Sequence, residues 1–500
     1  MKLTVNGEIT PTYVQTLFLL YFPGEHFPTD ADSEPIKAEV SVTLDGDTAS
    51  AYALVEGFGR REESRASQSR IPDVPMNDDR LRKLAVGRAV REAAGRFTGN
   101  NSPWGILTGV RPAKLATEFL SNGATPERAE EILRDLYLAA PEKASLCTSV
   151  ALTEKRIVTP ESRCECSIYI AIPFCPTRCA YCSFVSFTTP GLLSLIPQYL
   201  ASLVLDVDAT FDTVERLGMN VATVYIGGGT PTTLDAKQLD TLLCAVDRRL
   251  ANHNVREFTV EAGRPDTITP EKLIVLASHN VNRVSVNTQT LNDSVLKKIG
   301  RAHTAAEFFA AYDMAKFAGI PDINVDLIAG LPDESPESSI DSAKRIAELH
   351  PTNLTVHSFS VKKSAAIRED NVYDSVGADA CRAVAGMHET VRAAGYIPYY
   401  MYRQKNTVGN LENVGFALLG HECLYNIYMM EEIHPVFAVG ASSVTRLVKY
   451  KSDGTRDIKR IFEAKYPYEY LRDHNPENIA DHRRKIAAEV NAFFDHDEKE

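Results

Sequence analysis

The sequence lacks a long apolar run. LFLLYF, after Gln15, is the longest such stretch near the amino end, far short of the roughly 20 residues a membrane helix needs. The charged lead-in and small-residue cleavage site of a signal peptide are missing too. A basic excess is also lacking: 54 Lys and Arg against 66 Asp and Glu give a net charge of −12, which argues against a general binder of nucleic acid or anionic membrane. Repeats and low-complexity tracts are absent. Nine cysteines in 500 residues are too few, and odd in number, for a disulfide framework. A cytoplasmic protein is expected, with the sequons at Asn100 and Asn353 as chance matches.

What is present is ordinary globular composition, 44% hydrophobic and 24% charged, with chain enough for two or three domains. Three segments are expected: an N-terminal α+β and helical extension over 1–160, a β/α segment over 161–360, and a C-terminal α+β segment over 361–500 that covers the substrate. In the first, VSVTLDG and ASAYALVEGF alternate as strands around Gly46, and LRKLAVGRAVREAAGRF and PERAEEILRDLY have helical spacing. In the second, the strand candidates SIYIAIP, VATVYIG, REFTVEA, NRVSVN, INVDLIAG and LTVHSFS alternate with helical patterns. That order predicts an α/β fold with a parallel sheet, either open or part of a β/α barrel, whose chemistry gathers at the strands' carboxyl ends.

Five of the cysteines fall between Cys164 and Cys182. Cys175, Cys179 and Cys182 form C-x3-C-x2-C directly after the strand SIYIAIP. This spacing favours a [4Fe–4S] cluster with three protein ligands and one open iron. A zinc site completed by Cys164 or Cys166 is the alternative, although no His follows at zinc spacing. Cys164 and Cys166 are read as incidental thiols, and Cys147, Cys244, Cys381 and Cys423 as small buried hydrophobes.

The loop FCPTRCAYCSF resembles the signature of the radical S-adenosylmethionine (SAM) superfamily, and its framing resembles the branch of oxygen-independent coproporphyrinogen III oxidase. The amino-terminal extension and YRQKNTVGNLENVGFA (402–417) resemble the HemZ type within that branch. The resemblance implies a partial (β/α)6 barrel, a [4Fe–4S] cluster on Cys175, Cys179 and Cys182, and one or two SAM molecules. It assigns SAM contacts to Tyr169, Tyr181, Gly228, Gly229, Thr230, Glu261, Gln289, Arg301 and Asp326, and also to Ser360 and Val444. It further implies oxidative decarboxylation of two propionates of coproporphyrinogen III to give protoporphyrinogen IX, started by a 5′-deoxyadenosyl radical. A haem-binding insertion factor, or a radical SAM enzyme on another tetrapyrrole, are the alternatives. The expected partners are a tetrapyrrole and a reductant such as flavodoxin or ferredoxin, for a monomer that binds no nucleic acid.

The tetrapyrrole's carboxylates need local cations, for which Lys362, Lys363, Arg403 and Lys405 are candidates. Phe184 stands where the oxidase type has a fourth cysteine, which loosens the link to decarboxylation. The His-Asn-x-x-Tyr-Trp run of the haem-trafficking relatives is missing, and the lone His421 is read as a structural or helix-surface residue rather than a haem ligand.

Overall fold

The computed structural model describes residues 1–28, 34–182, 186–360, 373–404, 407–475 and 478–495. The chain forms two compact units. The first holds 1–153, 371–377 and 401–412; the second holds 154–370, 378–400 and 413–500. The segment after 360 is therefore shared between them.

In the first unit, β1 (Lys2–Asn6), β2 (Ile36–Asp45), β3 (Thr48–Gly57) and β4 (Arg60–Ser69) make a four-stranded sheet in that order. Gly46, in the left-handed region at φ 54°, turns β2 into β3. Helix Asp78–Thr98 packs on this sheet, capped by Asn77 at its start and by left-handed Gly99 at its end. The edge strand β4, RREESRASQS, is mostly exposed and charged. Its sequence has none of the apolar alternation that marks β2 and β3.

The second unit is built on β5 (Glu165–Ile172), β6 (Asn220–Gly228), β7 (Glu257–Glu261), β8 (Arg283–Ser285), β9 (Asp322–Ala329) and β10 (Asn353–Ser358). These six are parallel and adjacent in chain order, with helices in the crossovers: a (β/α)6 array of the partial-barrel type. Capping boxes at Asp235/Gln238 and Thr304/Glu307 start two of the crossover helices. The sheet then runs on through β11 (Ile397–Arg403), β12 (Glu412–Ala417), β13 (Val436–Val439), β14 (Val444–Tyr450) and β15 (Arg456–Phe462). β12 pairs antiparallel with β10, while β13 runs parallel to β5 and leads into β14 and β15.

Alternation along the strands sorts the array into two faces. Ile168, Ile170, Val224, Ile226, Val260, Val284, Val325, Leu327, Leu354 and Val356 are buried on one. The other carries Tyr169, Tyr225, Glu261, Arg283, Asn324, Asp326 and Thr355, in matched register. Parallel strands are ordinarily apolar on both faces, so a polar inner face marks the functional side. Its amino-terminal end is closed by helix Leu424–Glu431, whose first N–H groups, Leu424 and Tyr425, donate to Glu257 at 2.8 and 3.1 Å. Among the described residues, no helix is long and apolar enough to cross a membrane.

Candidate active site

β5 carries the chain straight into the cysteine loop. The loop is closed at its base by Cys175 N donating to Phe187 O (3.1 Å) and Phe187 N donating to Pro173 O (2.9 Å). Its far side is pinned by Ala180 N to Ile299 O (2.9 Å), and Cys182 N donates to Cys179 O (3.1 Å). Cys175 is buried, whereas Cys179 and Cys182 are half-buried. Burial pushes the Cys175 thiol up, against the Thr230 hydroxyl 3.3 Å away. Arg264 Nη1 donates to Thr177 O (3.0 Å) and lies 3.6 Å from Cys179 Sγ. Cys166 sits at the opposite end of β5, about 20 Å from the loop at strand rise, and Cys164 precedes it. Neither reaches the loop, so the zinc alternative loses its fourth ligand. A set of three thiols, one beside a cation, suits a [4Fe–4S] cluster with one open iron.

The second wall is the turn after β6. Gly229 N donates to Ile172 O and Thr230 N to Phe174 O, both at 2.8 Å. These bonds zip the turn to the segment leading into Cys175. A Cβ on Gly229 would meet Phe174 O at 2.6 Å and Ile172 O at 2.9 Å, and Gly228 has φ +108°. Both positions need glycine, one for close approach and one for its backbone.

The third element is the polar face at the strand ends. Tyr225 OH donates to Glu261 Oε1 at 2.6 Å. Burial pushes the Glu261 carboxyl up to about 7, while the Tyr225 bond pulls down and the charge of Asp326 pushes up. Tyr169 stacks with Tyr225 and Tyr425, the last two with centroids 4.4 Å apart. Asp326 accepts from Asn287 Nδ2 and Asn324 Nδ2, each at 2.8 Å, and faces His357 Nε2 at 3.7 Å. Burial would raise Asp326, but these neighbours hold it below its ordinary value. Gln289, a left-handed residue at φ 74°, bridges to β9 by donating N–H to Asp326 O at 3.0 Å. Strain in a non-glycine residue at a strand end is a usual companion of function. Arg301 donates to Gly263 O (2.9 Å) and to Tyr181 OH (3.1 Å), tying the cysteine loop to the loop after β7.

Of the residues singled out from sequence, the structure thus gathers Tyr169, Tyr181, Gly228, Gly229, Thr230, Glu261, Gln289, Arg301 and Asp326 with the three loop cysteines at one end of the array. Ser360 lies just beyond β10 and Val444 opens β14, at the two sides of the array. Arg403 departs from expectation. It is buried in the first unit, donates to Leu107 O (2.5 Å) and Asn410 O (3.3 Å), and stacks over Trp104. It is a structural cation that holds backbone carbonyls of the first unit. Phe184, Lys362, Lys363 and Lys405 lie outside the described residues. His421 Nδ1 pairs with Asp322 at 2.6 Å.

Tyr225, Arg264, Asn287, His357 and Tyr425 were not singled out from sequence. The first four sit within three residues of a strand's end or on the same inner face as Glu261, so the register was the signal that could have found them.

Residues 169–346 match the Radical SAM superfamily. The oxygen-independent coproporphyrinogen-III oxidase-like protein HemZ of Bacillus subtilis is 39% identical over 359 residues, covering 70% of this chain and 71% of HemZ. This chain belongs to the HemN/HemZ/HemW-type family of radical SAM proteins. The cofactors of this radical SAM chain are a [4Fe–4S] cluster and S-adenosylmethionine. The heme chaperone HemW of Lactococcus lactis is 33% identical over 290 residues, 58% of this chain and 72% of that protein. Among solved structures, coproporphyrinogen III oxidase (HemN) of Escherichia coli is similar at 20% identity, over 66% of this chain and 73% of that one, with a TM-score of 0.47.

Proposed function

We propose that this protein is a radical SAM enzyme that oxidatively decarboxylates propionate side chains of coproporphyrinogen III, yielding protoporphyrinogen IX. The observation that carries the reading is the continuity of the polar strand-end face with the cysteine loop: the Tyr225–Glu261 and Asn287–Asp326 pairs and the loop share one end of the array. When bound, the cluster and SAM supply a hydrogen-abstracting 5′-deoxyadenosyl radical. Cys175, Cys179 and Cys182 hold the cluster. Gly228 and Gly229 seat the turn after β6 against the segment that delivers Cys175, and the turn takes the ligand's methionine end. Glu261, oriented by Tyr225, offers a carboxylate to a cationic group, and Asp326, kept ionised by its neighbours, accepts from hydroxyls. Arg301 and Tyr181 fix the loop against this face. The Tyr169–Tyr225–Tyr425 stack fills the interior beneath it and keeps water from the reacting end. Ser360 and Val444 complete the proposed contact set, and an external reductant of flavodoxin or ferredoxin type supplies the electron.

A second reading, a haem-binding insertion factor that performs no decarboxylation, is favoured by the HemW relatives. Anaerobic turnover separates the two. Vinyl product with deoxyadenosine supports the enzyme, whereas tight stoichiometric haem binding without product supports the carrier.

A further inference from the structure

Far from the cysteine loop in sequence, four side chains of the second unit meet around a buried point. They are Asp206 on helix Ile196–Arg216, Glu463 just after β15, His474 after helix Pro467–Asp473, and His482 on helix Ile479–Phe494. The side chain of His474 has no exposure at all, and those of Asp206 and Glu463 are 9% and 8% exposed.

The hydrogen bonding identifies which atoms are available. His474 Nδ1 lies 2.7 Å from Tyr470 O. A carbonyl only accepts, so Nδ1 carries a proton and Nε2 is the ring nitrogen that faces the pocket. That Nε2 makes no hydrogen bond, nor does Glu463 Oε2, although both are buried. Nε2 instead faces Asp206 Oδ2 at 2.5 Å without hydrogen-bond geometry. Tyr470 OH donates to the same Asp206 oxygen, so a buried imidazole nitrogen and the Glu463 oxygen are left facing the centre without hydrogen bonds of their own. His482 Nε2 stands 3.3 Å from both oxygens of Glu463. The ligand atoms of Glu463, His474 and His482 lie within 4.8 Å of one another. Two imidazoles and a carboxylate are a zinc-type donor set that leaves a coordination position open. A backbone carbonyl fixing the tautomer of one ligand imidazole is the usual outer support of such sites. Arg483 pairs with Asp206 Oδ1 at 3.1 Å, which leaves Glu463 as the carboxylate facing the two imidazoles.

We propose that Glu463, His474 and His482 bind a divalent cation of the zinc class, with Asp206 beside it, at a site separate from the cluster. Bound there, the ion staples the carboxyl-terminal helix to the end of β15.

The test uses the cluster-loaded protein under anaerobic conditions, with Zn2+ as the probe in the presence of a weak chelator. One Zn2+ per chain beyond the cluster iron is expected. His482→Ala and Glu463→Gln each remove a ligand and should weaken Zn2+ binding at least tenfold while leaving the cluster iron intact. Cys244→Ser tests the other grouping close enough for one ion, Asp240, Cys244 and His279, and should change nothing. Co2+ offered to the wild-type protein should bind without a thiolate-to-metal absorption band. The proposal is overturned if the wild type takes up no Zn2+, if both ligand variants bind it as tightly as wild type, if Cys244→Ser abolishes binding, or if Co2+ shows the thiolate band.

Discussion

Gly229→Ala tests whether the turn after β6 sets the position of the cysteine loop. The added methyl would lie 2.6 Å from Phe174 O and 2.9 Å from both Ile172 O and Phe174 N. All three are backbone atoms, with no flexible side chain to swing aside. An ordinary carbon–oxygen contact begins near 3.3 Å, so the two backbones must part by roughly 0.7 Å. Overpacking of this kind costs about 1–3 kcal/mol. Breaking either of the bonds that zip the turn to the Cys175 segment adds about 1 kcal/mol. The strain falls on the segment that delivers Cys175, so cluster retention and SAM affinity should drop together. Iron and sulfide per chain after anaerobic reconstitution, and SAM affinity by equilibrium dialysis, read the effect. The expected result is incomplete cluster loading and SAM binding weakened at least tenfold, the equivalent of about 1.4 kcal/mol. Gly191→Ala, where an added methyl meets nothing within 4 Å, should be silent. Full iron content with wild-type SAM affinity in Gly229→Ala would refute the reasoning.

Cys175→Ala, Cys179→Ala and Cys182→Ala should each abolish the cluster, while Cys164→Ala and Cys166→Ala keep it; iron lost from Cys164→Ala would show that the site is not confined to the loop. Glu261 links stability to pH. Its folded value of about 7 stands above the ordinary 4.5, so the folded state binds more protons between these pH values and loses stability as pH rises through them, by about 3 kcal/mol in all. Glu261→Gln should remove that loss, so urea unfolding of cofactor-free protein should favour the variant increasingly from pH 5 to pH 8; parallel wild-type and variant curves would contradict this. Arg301→Ala leaves Gly263 O and Tyr181 OH without their donor, and about 1–3 kcal/mol of lost support should appear as faster iron loss on dilution. In the first unit, Lys143 pairs with Glu412 at 2.6 Å, at side-chain exposures of 8% and 0%. Lys143→Met should destabilise that unit by about 3–5 kcal/mol because it takes the cation from a buried carboxylate that keeps the neutral Trp104 donor; an unchanged midpoint in thermal unfolding would show the pair to be dispensable.

The six barrel strands were legible because each is an apolar run bounded by turn residues, with amphipathic helices between. β4 was not, because an exposed edge strand takes charged residues and loses the alternation that marks its neighbours. β15, another exposed edge, escaped for the same reason. In the site, the cysteines and the glycine turn announce themselves by spacing, and Glu261 by closing a strand. Tyr225, Asn287 and His357 become meaningful only once register places them on the face of Glu261, which needs the long-range pairing of β6 through β10. Arg403 misled because a cation beside tyrosines reads like a carboxylate ligand, whereas its guanidinium donates to backbone carbonyls and lies over the Trp104 ring.

The central claim is tested most directly by anaerobic turnover of the reconstituted protein with dithionite, SAM and coproporphyrinogen III, read by mass spectrometry. The expected result is protoporphyrinogen IX with at least two deoxyadenosines for each product molecule, since two propionates are converted. Absence of vinyl product from protein whose cluster is fully loaded and cleaves SAM would contradict it.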